Sequence, residues 1–90
     1  MVKHYLYILS CADGTLYTGY TTDPARRLRQ HDAGSASKYT RGRLPVILSY
    51  IEASGSKGEA LRRELEIKRM TRREKLLLCS KKPLGAHGSR

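Results

Sequence analysis

Ninety residues leave room for one small domain with one modest core. Eighteen Lys and Arg against eight Asp and Glu give a formal net charge of +10, which favours a polyanionic partner, most simply DNA or RNA. No apolar run approaches the roughly 20 residues of a membrane span, and the N-terminal MVKHYLYILS lacks the long apolar region and cleavage site of a signal peptide, so no membrane partner and a cytoplasmic location are expected.

Residues 4–9 (HYLYIL) and 15–20 (TLYTGY) are rich in aromatic, aliphatic and β-branched side chains and read as strands. Ser10 to Gly14 between them carries Asp13-Gly14 as turn punctuation, so the two form a hairpin. Asp23-Pro24 reads as a helix N-cap followed by proline at the first position, and Gly34 as the stop of a helix ending near Asp32. On that helix Pro24, Ala25 and Leu28 set the buried stripe, with Arg27 and His31 one turn apart along its edge. A polar loop through Gly42 follows, then a third strand over residues 44–52 (LPVILSYIE). Ser54-Gly55-Ser56 opens a helix over 58–69, and Thr71 with Glu74 forms a capping box for another through Cys79. The fold class is α+β: a three-stranded, mainly antiparallel sheet flanked by three helices, in the order β-β-α-β-α-α. Residues 1–82 form the domain, and 83–90 (PLGAHGSR) a disordered tail. Cys11 and Cys79 stand alone, with neither CxxC nor paired His spacing, so they read as structural thiols.

The helix over 58–69 contains an anomaly. At about 100° per residue, Ala60, Leu61, Leu65 and Ile67 share one arc, and Glu64 falls near its middle. A carboxylate aimed at packed side chains requires compensation. Lys68 at i+4 supplies one form of it, and a divalent cation another. Arg62, Arg63 and Arg69 are expected on a solvated face.

Tyr5-Leu6-Tyr7 followed by Tyr17-Thr18-Gly19 resembles the paired tripeptides that name the GIY-YIG nuclease superfamily. Arg27, ten residues after Tyr17, matches its helix arginine, His31 the His or Tyr one turn later, and Glu64 its metal-binding glutamate. The resemblance covers roughly residues 4–80. More closely, the chain looks like the stand-alone, single-domain bacterial family that carries a similar KYTRGR-P stretch (Lys38 to Arg43, then Pro45). Departures are Tyr5 for Gly and Leu6 for Ile in the first motif, Tyr20 where well-studied members often have Lys, and no Asn within residues 71–80.

The resemblance implies metal-dependent hydrolysis of phosphodiester bonds in DNA, in repair or recombination. Glu64 would hold Mg²⁺ or Mn²⁺, and Arg27 would stabilise the phosphate with a planar, permanently charged fork. Tyr7 and Tyr17 would position or activate water, and His31 would take or orient a proton. Each has a structural alternative: an ion pair for Arg27, a hydrogen-bonded core histidine for His31, core aromatics for the tyrosines. Lys38, Arg41 and Arg43, mixed with Tyr39, suit backbone contacts beside a stacked base. With no separate recognition domain, single-stranded or branched DNA is the expected substrate, or targeting comes from a protein partner. The competing readings are a non-catalytic DNA- or RNA-binding module and a ribosome-associated protein. A two-residue hairpin loop would put Tyr7 opposite Tyr20 and Tyr17 on the other face. A shared site therefore predicts an odd loop, Ala12-Asp13-Gly14, with Gly14 left-handed.

Overall fold

The computed structural model describes residues 3–81, and the expected tail lies outside them. Strands β1 (His4–Cys11) and β2 (Leu16–Thr21) form the hairpin. Helices α1 (Pro24–Asp32) and α2 (Lys38–Arg41) follow, then strand β3 (Val46–Ser54) and helices α3 (Lys57–Lys68) and α4 (Arg72–Lys81). The sheet runs β2-β1-β3, and β1 is antiparallel to both neighbours. The α+β class and antiparallel sheet are as expected, but four helices are present among the described residues instead of three. The extra one is α2, inside the stretch expected to be a polar loop. Ser37 caps it by accepting from the Tyr39 N–H at 3.0 Å, a local bond the sequence offers only to a chain already turned at that point.

The other helices start and stop on the expected chemistry. Asp23 accepts from the Arg26 N–H, Ser56 from the Glu59 N–H, and Thr71 and Glu74 bond reciprocally as a capping box. Gly34 ends α1 with φ +78°. Strand β3 begins two residues later than expected, after Pro45, which has no N–H to give a ladder.

Two apolar layers lie against the sheet. Leu6, Ile8, Tyr50, Ala60 and Ile67 are buried together beneath α3, with Met70, Leu78 and Cys79 packed on them. Tyr7, Leu9, Cys11 and Val46 are buried on the opposite face, with Leu28 of α1 and Leu48 alongside. Alternation along β1 supplies both layers in the ordinary way. Strand β3 does so through a bulge: Ile8 pairs with Tyr50 but Leu9 pairs with Leu48, leaving Ser49 as the extra residue. Val46 and Leu48 therefore face α1, while Tyr50 and Glu52 face α3.

Helix α3 is turned differently from the reading of its sequence. Ala60 and Ile67 are fully buried, whereas Leu61 and Leu65 are exposed. The residues on the inner side are Ala60, Arg63, Glu64 and Ile67. Arg63 is thus not part of a solvated face. Its guanidinium donates to Glu52 of β3 at 2.9 and 3.2 Å and to Glu66 at 2.7 Å, and Glu52 also accepts from the Tyr50 hydroxyl. Burial and the bond to Glu52 push the Tyr50 phenol up to about 12, so it stays a donor. This ionic clasp sets the phase of α3, and satisfying it outweighs hiding two leucines. No helix among the described residues is long and apolar enough to cross a membrane.

The clasp predicts an asymmetry in stability. Arg63→Ala takes the guanidinium away from a carboxylate that is only 22% exposed and should cost about 2 kcal/mol. Glu66→Ala removes a partner that is 62% exposed and should cost under about 0.5 kcal/mol. Urea unfolding of the two variants measures both.

Candidate nucleic-acid cleavage site

The hairpin decides whether two tyrosines can meet. Its loop is Ala12-Asp13-Gly14, closed by the Cys11 N–H on the Thr15 carbonyl at 2.9 Å, with Gly14 at φ +87°. Asp13 holds the turn by accepting from the Thr15 N–H and hydroxyl, which lower its carboxyl below the usual range. This odd loop pairs Tyr17 with Leu9 and Tyr7 with Gly19. Both tyrosines consequently face α1, with ring centroids 6.3 Å apart. Tyr20 pairs with Leu6, lies on the other face, and bonds His4 at 2.8 Å.

Tyr7 does not stand upright from the sheet. Its ring leans across β2, so that a Cβ on Gly19 would collide with its hydroxyl and Cζ. Only a residue without a side chain leaves room for that crossing. The lean carries the Tyr7 Oη to 2.9 Å from His31 Nε2. His31 is 1% exposed, and its Nδ1 lies 2.8 Å from Thr40 Oγ1 of α2. The His31 ring also packs edge-on against Tyr17 at 5.2 Å.

Burial raises the Tyr7 phenol well above its ordinary value; Tyr17 and Glu64 raise it further, and Arg27 opposes them. Burial also lowers His31 below its ordinary 6.5, Arg27 lowers it further, and Asp32 opposes. Both partners of the Tyr7–His31 bond are therefore neutral at pH 7. The Arg27 and Glu64 charges thus act on the Tyr7 phenol through space, in opposite directions.

Helix α1 presents Pro24, Arg27, Leu28 and His31 inward, while Ala25, expected in the buried stripe, is exposed. The bond between His31 and Tyr7 turns the helix that way, and a methyl group offers little against it. Among the described residues Arg27 has no ion pair. Its side chain borders Tyr7 and Leu48 on one side and a polar cleft of about 210 Å³ with Thr21, Asp23 and Gln30 on the other.

Glu64 is 17% exposed and takes an ion pair from Lys68 at 3.3 Å, with Lys68 itself half exposed. The i+4 partner noted in the sequence is thus present. Among the described residues no three His, Cys, Asp or Glu side chains gather as a protein-only metal site.

Lys38 and Arg41 project from α2 into solvent. Arg43 is placed otherwise: it donates to Asp13 at 2.9 Å and to the Tyr39 carbonyl at 2.6 Å, and lies 4.2 Å over the Tyr39 ring. Tyr39 in turn packs against Tyr17 at 5.7 Å. Arg43 thereby ties the hairpin loop to α2. Gly19, part of the second tripeptide, and Thr40 carry roles in the site that the sequence pattern does not announce. A glycine inside a strand does signal close approach, but nothing local marks Thr40.

A family model described as the GIY-YIG catalytic domain matches residues 3–76. This chain belongs to the GIY-YIG family. It is 54% identical over 72 residues to a UPF0213 protein of Halobacterium salinarum, covering 80% of this chain and 94% of that one. A UPF0213 protein of Streptococcus agalactiae is 59% identical over 75 residues, covering 83% and 85% of the two chains. The solution NMR structure of a UPF0213 protein from Bacillus halodurans matches with a TM-score of 0.61 at 50% identity, covering 93% of this chain and 89% of that one. The family's paired motifs correspond here to the Tyr7 ring, the Tyr17 ring that packs near it, and the glycine the Tyr7 ring crosses.

In this GIY-YIG protein, Gly19→Ala should cost about 1–3 kcal/mol, because the ring it would displace is buried and hydrogen-bonded. The same change in a Tyr7→Leu background should cost less, and thermal unfolding of the four proteins in this cycle measures the coupling. His31 gives a second expectation, about pH. Its folded pKa is depressed, so below 6.5 the unfolded chain takes up the proton first. Stability should fall as pH drops from 6.5 toward the depressed value, and His31→Gln should flatten that part of the urea-midpoint profile.

Proposed function

We propose that this protein is a nuclease that hydrolyses phosphodiester bonds in DNA, with Mg²⁺ or Mn²⁺ carried by Glu64. The observation that carries the reading is the buried Tyr7 hydroxyl bonded to a neutral imidazole, with a guanidinium and a carboxylate acting on it through space. Free Tyr7 is too weak an acid to become a phenolate alone. It can instead pass a proton on. A water attacking phosphorus gives a proton to the Tyr7 oxygen while the Tyr7 proton moves to His31 Nε2, so neither phenolate nor hydroxide accumulates. Arg27, with no ion pair among the described residues, is available to a phosphate oxygen. Tyr17, beside both Tyr7 and His31, holds the water or the phosphate from the second strand.

The residues fit a divalent ion of the Mg²⁺ type. Such an ion accepts one or two carboxylates and completes its shell with water and phosphate oxygens. Glu64 is one shielded carboxylate, and its ion-pair partner Lys68 is half exposed. Bound there, the metal would supply Lewis acidity toward the phosphate and its departing oxygen.

The exposed Lys38 and Arg41 and the excess positive charge suit backbone contacts of weak sequence preference and marked salt dependence. Single-stranded or branched DNA is the proposed substrate, in repair or recombination on family-level analogy alone, with targeting by a protein partner.

The Glu64–Lys68 pair also supports a second reading, a nucleic-acid-binding module without catalysis. Cleavage assays with Mg²⁺ and Mn²⁺ over single-stranded, branched and duplex DNA and structured RNA separate the two. The nuclease reading expects cutting by the natural protein and loss of at least about 100-fold in Glu64→Ala, with salt-dependent binding retained. Binding without cutting of any form supports the second reading, and cutting confined to RNA moves the substrate.

A further inference from the structure

Thr40, on α2, is fully buried. Its hydroxyl lies 2.8 Å from His31 Nδ1 and 3.4 Å from the Ser37 carbonyl. A carbonyl can only accept, so a Thr40 proton turned toward Ser37, whose carbonyl also takes the Arg41 N–H at 3.0 Å, leaves the Thr40 oxygen facing Nδ1 as an acceptor. The Thr40 oxygen then accepts from Nδ1–H. A neutral imidazole carries one proton, and with it on Nδ1 the Nε2 lone pair is free toward Tyr7.

We propose that Thr40 is a positioning residue that fixes His31 as the Nδ1–H tautomer, so that Nε2 accepts the Tyr7 proton. The inference deepens the proposed hydrolytic role and rests on it for its purpose, but the tautomer itself is a property of the free protein. Free histidine side chains favour the opposite form, with the proton on Nε2. That form would aim an N–H at the Tyr7 oxygen, turn Tyr7 from donor into acceptor, and block transfer from phenol to imidazole. The assignment also gives α2 a purpose. Its cap residue, Ser37, and its buried Thr40 together dictate where one proton sits. The groups facing His31 are Tyr7 from β1, Tyr17 from β2, Arg27 and Asp32 from its own helix, and Thr40 from α2. Of these, Tyr7 and Thr40 contact its ring nitrogens.

The test is the ¹⁵N spectrum of the full-length protein labelled at histidine, recorded at pH 8, together with kinetics. The natural protein should show His31 with a protonated Nδ1 and a bare Nε2. Thr40→Ser should keep that pattern, and Thr40→Val should shift it toward Nε2–H while the backbone spectrum stays folded. With any DNA that is cut, kcat should fall about tenfold or more in Thr40→Val with KM unchanged, and return in Thr40→Ser. Protonated Nε2 in the natural protein overturns the proposal, as does a Thr40→Val tautomer identical to it. Equal kcat values for the natural protein and Thr40→Val also overturn it. Absence of all cleavage alongside the expected spectra refutes the nuclease reading and leaves the tautomer assignment supported.

Discussion

The Tyr7 ring crosses the backbone of Gly19, and that crossing organises the rest of the site. It requires a glycine on β2 directly opposite the tyrosine, and it delivers the hydroxyl to His31. The pairing that sets tyrosine against glycine depends in turn on a loop of odd length with a left-handed residue at Gly14. Once the hydroxyl is bonded to the imidazole, the phase of α1 is settled. Arg27 is carried to the edge of the same hollow, and Ala25 is left outside. The imidazole then needs a partner for its second nitrogen, since a buried nitrogen with none is costly, and α2 exists to provide it. One van der Waals constraint thus runs through two strands and two helices.

Charge is arranged in two tiers around that centre. The phenol and imidazole in the interior are both kept neutral, mainly by burial. The electrostatics of the phenol also register a guanidinium with no ion pair among the described residues and a shielded carboxylate partnered by a half-exposed ammonium. Farther out, Lys38 and Arg41 contribute to the positive field expected of a chain at +10. The outer tier attracts a polyanion without choosing its sequence.

Much of this was legible in the amino-acid order, and the exceptions share a cause. The caps at Asp23 and Thr71 follow from local chemistry, whereas the hairpin parity and the common face of Tyr7 and Tyr17 follow from the shared site that the family resemblance implies. Glu64 does lie on the inner side of its helix, although the neighbours invoked to place it there do not: Leu61 and Leu65 are exposed. Periodicity weighs each residue by hydrophobicity, whereas α3 is oriented by the bond between Arg63 and Glu52, eleven residues away on β3. Thr40 was silent for the same reason. Its partner is nine residues back on another helix, and no spacing rule links a loop threonine to a helix histidine. What sequence patterns miss here is polar pairing between elements.

The extra residue Ser49 lets a single strand furnish opposite sides of the molecule. Ahead of it, Val46 and Leu48 floor the tyrosine layer; beyond it, Tyr50 and Glu52 anchor the glutamate-bearing helix. Side chains in β3 can therefore change in size or polarity at modest cost, but the count of residues cannot. Losing or gaining one would carry Glu52 to the side away from Arg63 and leave the helix that bears Glu64 without its anchor, so the length of this segment constrains the fold more tightly than its composition does.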